Sequence, residues 1–264
     1  MIAITGDVHH MSMGGADQQY MDQTEPQVTE EYIDIITGYG LKVTIFVTGK
    51  ALEEEPEVFR RIAKNPLVEF GGHNYYAFQP RWLYGGIFGK LMGSNCGPRP
   101  VQNWEIKKTL KTFKNILGID IVSWRDHGYR HDHNTYELLV DNGIKIISDE
   151  VGPRFDGPYK TEEGLISLPI NTLPDHDHLI HGNQTEEMAQ DWNLLNNSFQ
   201  AGLMDKNSWV EYLLKQVEEN ERNDQISTLL LHPGCMSIVD KFSTLKKICI
   251  SMNSFKTNKV REIL

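Results

Sequence analysis

The chain has 264 residues, 39% of them hydrophobic, and a formal net charge of −10 at pH 7. This composition excludes global disorder, and the absence of a basic run argues against a nucleic-acid partner. Three widely spaced cysteines argue against a disulfide framework and a thiolate zinc site. No apolar stretch reaches the roughly 20 residues of a membrane span, so we expect no membrane partner and a cytoplasmic protein.

Short apolar runs alternate with helical patterns along most of the chain, beginning with a buried strand directly after Met1. Such alternation predicts an α/β fold with a mostly parallel sheet, in a single barrel-like domain over residues 1–264. The predicted strands cover 2–5, 41–47, 67–70, 119–124, 144–148, 164–169 and 226–232, and the predicted helices cover 28–36, 51–63, 102–116, 134–141, 206–221 and 238–250.

Two stretches interrupt this rhythm. Residues 74–101 are rich in glycine, proline and aromatic residues, which predicts a long loop over the mouth of the barrel. Residues 151–205 are irregular and include His176, His178 and His181. The histidine-containing part of this second stretch is interpreted mainly as plain loop, with pocket lining or a peripheral metal loop as alternatives.

The ten histidines are confined to five short segments, and four of these follow or end a predicted strand. In a barrel the chemistry lies at the carboxyl ends of the strands, so these side chains are predicted to converge. Imidazole and carboxylate together form the usual ligand set of a zinc-type ion. Neither a helical HExxH nor a GxSxG motif is present, so the ligands must come from separate strand ends.

The segments in question are Thr5-Gly6-Asp7-Val8-His9-His10, Glu69 to Ala77, Arg125-Asp126-His127-Gly128-Tyr129 and Leu229 to His232. In order and spacing they resemble the motifs of the polysaccharide deacetylases (carbohydrate esterase family 4, the chitooligosaccharide deacetylase homology domain). The chain resembles a divergent member of that family. The resemblance implies an irregular (β/α) barrel and a divalent metal ion, for which we expect zinc.

The resemblance also implies three catalytic roles. Asp7 matches the family's catalytic base, and Arg125 matches the arginine that orients it. His232 matches the general acid that protonates the leaving amine. The Asp149 side chain, at another strand end, is a looser match to an acid that contacts such a site.

The metal ligands depart from the family pattern. His73 matches the first metal histidine, but Val8 and Ala77 stand at the other two ligand positions. His9 lies on the same side of the strand as Asp7 and is the candidate substitute ligand, although it could instead only order its loop. The remaining candidate ligands are His127, at a position where the family has proline, and Asp7 itself.

The resemblance implies hydrolysis of the carbon–nitrogen bond of N-acetylated sugars, or removal of O-acetyl groups. Tyr75 and Trp82, in the aromatic stretch, and Tyr129 are predicted to contact the substrate, although the stretch could instead form the core of a lid. Two alternatives remain open. The first is a cytoplasmic hydrolase of small linear or cyclic amides, and the second is a non-catalytic carbohydrate-binding relative. The oligomeric state is not predicted.

Overall fold

The computed structural model describes residues 1–191 and 198–263. Residues 192–197 of the predicted irregular stretch, and residue 264 at the end of the predicted domain, lie outside the described residues. The structure is built around one sheet of eight strands, which runs in the order β6-β7-β5-β4-β3-β2-β1-β8. The strands are β1 (Ile2–Val8), β2 (Val43–Val47), β3 (Val68–Gly72), β4 (Ser123–Trp124), β5 (Ile146–Ile147), β6 (Tyr159–Lys160), β7 (Ile166–Ser167) and β8 (Ser227–Leu230).

All neighbouring pairs in this sheet are parallel except β6 with β7. The strands curl into an open half-barrel, which confirms the predicted irregular (β/α) barrel. Every residue of β1 and β2 is buried, because helices and loops cover both faces of a parallel sheet.

The helices of the described residues connect these strands. They are α1 (Glu25–Gly38), α2 (Gly49–Glu54), α3 (Pro56–Ile62), α4 (Gly89–Met92), α5 (Arg99–Leu117), α6 (Thr135–Asp141), α7 (Asp175–His178), α8 (Glu186–Asp191), α9 (Lys206–Arg222), α10 (Pro233–Asp240) and α11 (Ser243–Met252). Helix α1 begins at a capping box, in which Thr24 accepts from the Gln27 backbone N–H and Gln27 reaches back. No helix among residues 1–191 and 198–263 has the length and apolar character to cross a membrane.

Two predicted helices are each divided in the structure. The helix predicted over 51–63 becomes α2 and α3, because Glu55 precedes Pro56 and leaves the helical region at φ −133° and ψ 60°. The helix predicted over 238–250 becomes α10 and α11, separated by Lys241 and Phe242. Both of these residues have positive φ.

The prediction of a long loop over 74–101 is wrong in part. A π-helical segment, Trp82–Phe88, continues into α4 within this stretch. Tyr84 packs with Phe78 and Cys96 in a small apolar cluster, and the Phe78 ring lies 6.5 Å from the ring of His127. The segment is therefore a packed helical element beside the predicted site.

The edge formed by the carboxyl ends of β1, β3, β4 and β8 carries the predicted site. At Gly72, the last residue of β3, a Cβ atom would lie 2.2 Å from the ring of Trp124. Glycine therefore allows this buried tryptophan to pack directly against β3, which brings the segments after β3 and β4 together.

A candidate metal and acid–base centre

Four strand ends supply the candidate side chains, as the barrel rule predicts. Asp7 is the penultimate residue of β1, and His9 follows that strand directly. His73 follows β3, and Arg125 follows β4. His232 lies two residues after β8 and is the N-cap of α10. His127 begins a short 3-10 turn after Arg125.

His9, His73 and His127 bring three ring nitrogens into one triangle. His9 Nε2 lies 3.1 Å from His127 Nδ1 and 3.2 Å from His73 Nε2, and the third edge, from His127 Nδ1 to His73 Nε2, is 3.4 Å. The three atoms form one of the clusters in the described residues that could hold a metal ion.

The outer contacts of two of these rings determine where their protons lie. His73 Nδ1 is 2.8 Å from the Arg125 carbonyl oxygen, and His9 Nδ1 is 2.9 Å from Glu25 Oε1. Because both oxygens can only accept, each Nδ1 is assigned as the donor, which leaves Nε2 unprotonated in the neutral ring. Two nitrogen lone pairs then face each other at 3.2 Å, an arrangement that a cation between them would relieve.

The triangle fits a zinc-type ion. Tetrahedral zinc holds imidazole nitrogens at about 2.0–2.1 Å, which places two such nitrogens about 3.3 Å apart. Burial lowers the pKa of His73 to about 3 and holds the pKa of His127 well below its usual value. Both rings are therefore neutral at physiological pH, as metal ligands must be.

Asp7 lies beside this triangle and is paired with Arg125. The guanidinium is fully buried and donates from Nη1 to Asp7 Oδ1 at 2.9 Å, and also to Thr5 and Ser148. Burial favours the neutral carboxylic acid, but Arg125 and the surrounding histidines outweigh it and hold the pKa of Asp7 well below its usual range. Asp7 is therefore ionised and fixed in orientation.

The second carboxylate oxygen of Asp7, Oδ2, lies between the three clustered histidines and His232. Asp7 Oδ2 lies 3.9 Å from His73 Nε2 and 3.7 Å from His232 Nε2. The group of side chains that could hold a metal ion consists of His9, His73 and His127. Asp7 is not part of this group, so the geometry does not place it as a fourth protein ligand. Its position between the ligands and His232 fits its other predicted role, that of a base.

His232 is held by Asp175, which lies outside the motifs that carry the resemblance. Asp175 Oδ1 accepts from His232 Nδ1 at 2.7 Å, and Oδ2 accepts from the His232 backbone N–H at 2.6 Å. Burial lowers the pKa of His232, but the Asp175 carboxylate outweighs it and raises that pKa to about 9. A protonated ring nitrogen, Nε2, is thereby directed toward Asp7.

Asp175 belongs to the histidine-containing segment that was interpreted mainly as plain loop, and the structure corrects this interpretation. It is the first residue of the short helix α7 and is fully buried. The three histidines that closely follow Asp175 in the sequence, His176, His178 and His181, are the feature that could have indicated a functional segment here. Asp149, the looser match, lies elsewhere: its Oδ1 accepts from the Asp126 backbone N–H at 2.7 Å.

A cavity of about 760 Å³, including its open mouth, leads to these groups. Its described lining includes Tyr129, as predicted for substrate contact, together with Asp17 and His176. Tyr75 and Trp82 are not among the described lining residues of this cavity, so their contact with substrate stays a prediction. Tyr75 is buried and donates to Glu53, whereas Trp82 is 66% exposed.

Comparison with known proteins finds a matching family model. The family model for polysaccharide deacetylases matches residues 17–147, about half of the chain. No curated protein sequence matches it significantly.

Solved structures match over nearly the whole chain. A protein assigned as a polysaccharide deacetylase from Mycobacterium smegmatis is 16% identical, with a TM-score of 0.69 over 99% of this chain and 88% of its own. A second such protein, from Pseudomonas aeruginosa PAO1, is 15% identical, with a TM-score of 0.64 over 99% and 89% of the two chains. Puue allantoinase is 14% identical, with a TM-score of 0.63 over 99% and 88%. At these identities the likeness shows the fold alone.

Proposed function

Because the chain belongs to the polysaccharide deacetylase family, we propose that it is a metal-dependent hydrolase of N-acetylated sugars. The reaction breaks the carbon–nitrogen bond of an acetamide and releases acetate and an amine. The observation that carries this proposal is the placement of three converging imidazole nitrogens beside an ionised carboxylate and a protonated imidazole.

In this proposal His9, His73 and His127 hold a divalent ion, for which zinc is the best match to an all-imidazole ligand set. Such an ion, when bound, supplies Lewis-acid polarisation of the acetyl carbonyl and makes a water molecule more acidic. The triangle supplies three protein ligands, as in catalytic zinc sites that keep one position open.

Asp7 is proposed as the general base that accepts a proton from the attacking water. Its pairing with Arg125 keeps the carboxylate ionised and directs Oδ2 into the site. Because Arg125 is itself held by Thr5 and by Ser148, the carboxylate cannot rotate freely. Such positioning is what general-base catalysis requires.

His232 is proposed as the general acid. The attack of water on the acetyl carbon forms a carbon–oxygen bond, and the carbon–nitrogen bond then breaks. The departing nitrogen needs a proton, which His232 Nε2 supplies because Asp175 stabilises the charged ring. The cavity suits the amine product. Its described lining contains the carboxylates of Asp7, Asp17 and Glu25 and no lysine or arginine, and such a lining favours an ammonium group over an anion.

Hydrolysis of a small linear or cyclic amide is the second candidate function. The segment from Met13 to Met21 walls one side of the cavity, and such a compact space also accommodates a small ring. The fold is shared with an allantoinase as well as with deacetylases.

One set of measurements tests both candidates. Freshly purified protein is expected to contain one divalent ion per chain by elemental analysis, and His73→Ala is expected to lose it. The exposed residue His133 gives the matched control, since His133→Ala should keep the ion. Acetate release from N-acetylated amino sugars supports the first function, and turnover of a cyclic ureide with no acetate release supports the second. Metal-free protein that is inert toward both would contradict the proposal.

A further inference from the structure

We propose that Glu25 is the positioning residue of the metal site, which supplies through His9 the carboxylate that the ligand set itself lacks. This inference rests on the proposed function, since it concerns the same ion. At the position where the resembled family has a carboxylate ligand this chain has Val8, whose side chain cannot bind a cation. Glu25 lies 17 residues further along the chain, outside every motif that carried the resemblance.

The contacts of Glu25 orient the His9 ring. Glu25 Oε1 accepts from the His9 backbone N–H at 2.8 Å and from His9 Nδ1 at 2.9 Å. One oxygen thus fixes both the main chain and the ring, and it assigns the proton to Nδ1. Nε2 is left free toward the other two imidazoles. Metal-binding histidines usually donate their second ring nitrogen in this way, and the partner strengthens them as ligands.

The carboxylate is itself fixed on its other side. Gln18 donates from Nε2 to Glu25 Oε2 at 2.9 Å and to the His10 carbonyl oxygen at 3.1 Å. Gln18 belongs to a 3-10 turn in the segment that walls the cavity. This wall, Glu25 and the proposed ligand His9 therefore form one hydrogen-bonded unit.

The charge of Glu25 needs a cation. Its side chain is 7% exposed, and among residues 1–191 and 198–263 its only ion-pair partner within 4.0 Å is His9. Because Glu25 is the first residue of α1, the helix dipole offsets part of the cost of burying an anion there. A buried carboxylate without a basic partner remains unfavourable, and an ion on the far side of His9 would compensate it.

The test is Glu25→Gln, which keeps the shape and the acceptor oxygen but removes the charge. Zinc affinity, measured by competition with a chromophoric chelator, is expected to fall about 10- to 100-fold. The matched control is Glu54→Gln. Glu54 accepts from Ser12, directly before the cavity-wall segment, but does not contact the three histidines, so zinc affinity should stay unchanged.

The second readout is the proton position in the His9 ring. This position would not depend on Glu25 if Glu25 only stabilised the fold. In histidine-labelled, metal-free wild type, long-range ¹H–¹⁵N spectra are expected to show His9 protonated on Nδ1 and unprotonated on Nε2. Unchanged zinc affinity in Glu25→Gln, or a His9 ring protonated on Nε2, would overturn the inference. If Glu25→Gln fails to fold, the wild-type spectrum alone decides. Wild type that binds no zinc would instead contradict the proposed function.

Discussion

The two sides of the cavity use the same residue type in opposite charge states. On one side, burial lowers the pKa values of His73 and His127, and their facing nitrogens lie 3.4 Å apart. On the other side, His232 is buried as well, but Asp175 at 2.7 Å raises its pKa to about 9. The Asp175 carboxylate therefore suits His232 to donate a proton, whereas His73 and His127 stay neutral and are suited to bind a metal.

The largest expected effect is on activity, when Asp7 is replaced. Asp7 lies between the two sides of the cavity, close to both His73 and His232. Asp7→Asn removes the proposed base while keeping its shape, so kcat/KM should fall about 10²- to 10⁴-fold. Zinc affinity should remain within a few-fold of wild type, because Asp7 is not one of the three clustered ligands. Loss of both activity and zinc would show that Asp7 binds the ion. The metal-binding side and the proton-donating side would then not be separate.

The ligand side is tested by His127→Ala. Removing one of three nitrogens should lower zinc affinity by at least about 100-fold, since even the outer-shell partners of such ligands contribute 10- to 100-fold. The measurement is chelator competition at pH 7. Because the pKa of His127 lies well below its usual value, this ring does not need to lose a proton at pH 7. Unchanged affinity would remove His127 from the ligand set.

The acid side is tested by pH dependence. A general acid must be protonated, and a pKa raised above its usual value keeps the active form present until the pH reaches that value. Activity is therefore expected to fall as pH rises through about 9, and not at lower pH. In Asp175→Asn the alkaline limb should move down by about one pH unit or more, because the stabilising charge is gone. An unmoved limb would assign the proton transfer to another group.

The smallest effects are expected for the aromatic residues. Trp82→Ala should change kcat/KM for a small acetylated sugar less than about twofold, because exposed surface positions outside a site rarely matter. Tyr129→Phe should have the larger effect of the two, about three- to tenfold, because Tyr129 lines the cavity and its hydroxyl is buried without a protein partner. The reverse order would indicate that substrate approaches over the Trp82 surface.

Local pattern was enough to predict several features of this molecule. Continuous apolar runs predicted the central strands, and the order of strands and helices predicted the α/β class, both of which the structure confirms. The polar segments at strand ends predicted that Asp7, His9, His73, Arg125, His127 and His232 would converge. The structure brings all six together because parallel strands end at one edge of the sheet.

Other features required the tertiary structure. Tyr75 and Trp82 share one aromatic stretch, yet one is buried and the other is largely exposed, because packing against α2 and α5 decides which ring turns inward. The breaks after α2 and α10 depend on single backbone conformations that periodicity does not report.

By itself the sequence determined the alternation of strands and helices along the chain and the six residues that meet at one edge of the sheet. Only the tertiary structure decided the partners of those residues. Glu25 lies 16 residues from His9, and Asp175 lies 57 residues from His232; neither pairing follows a helical or strand period. Hydrogen bonds between separate elements depend on where loops return in space, and these bonds set the proton positions and charges on which the chemistry depends.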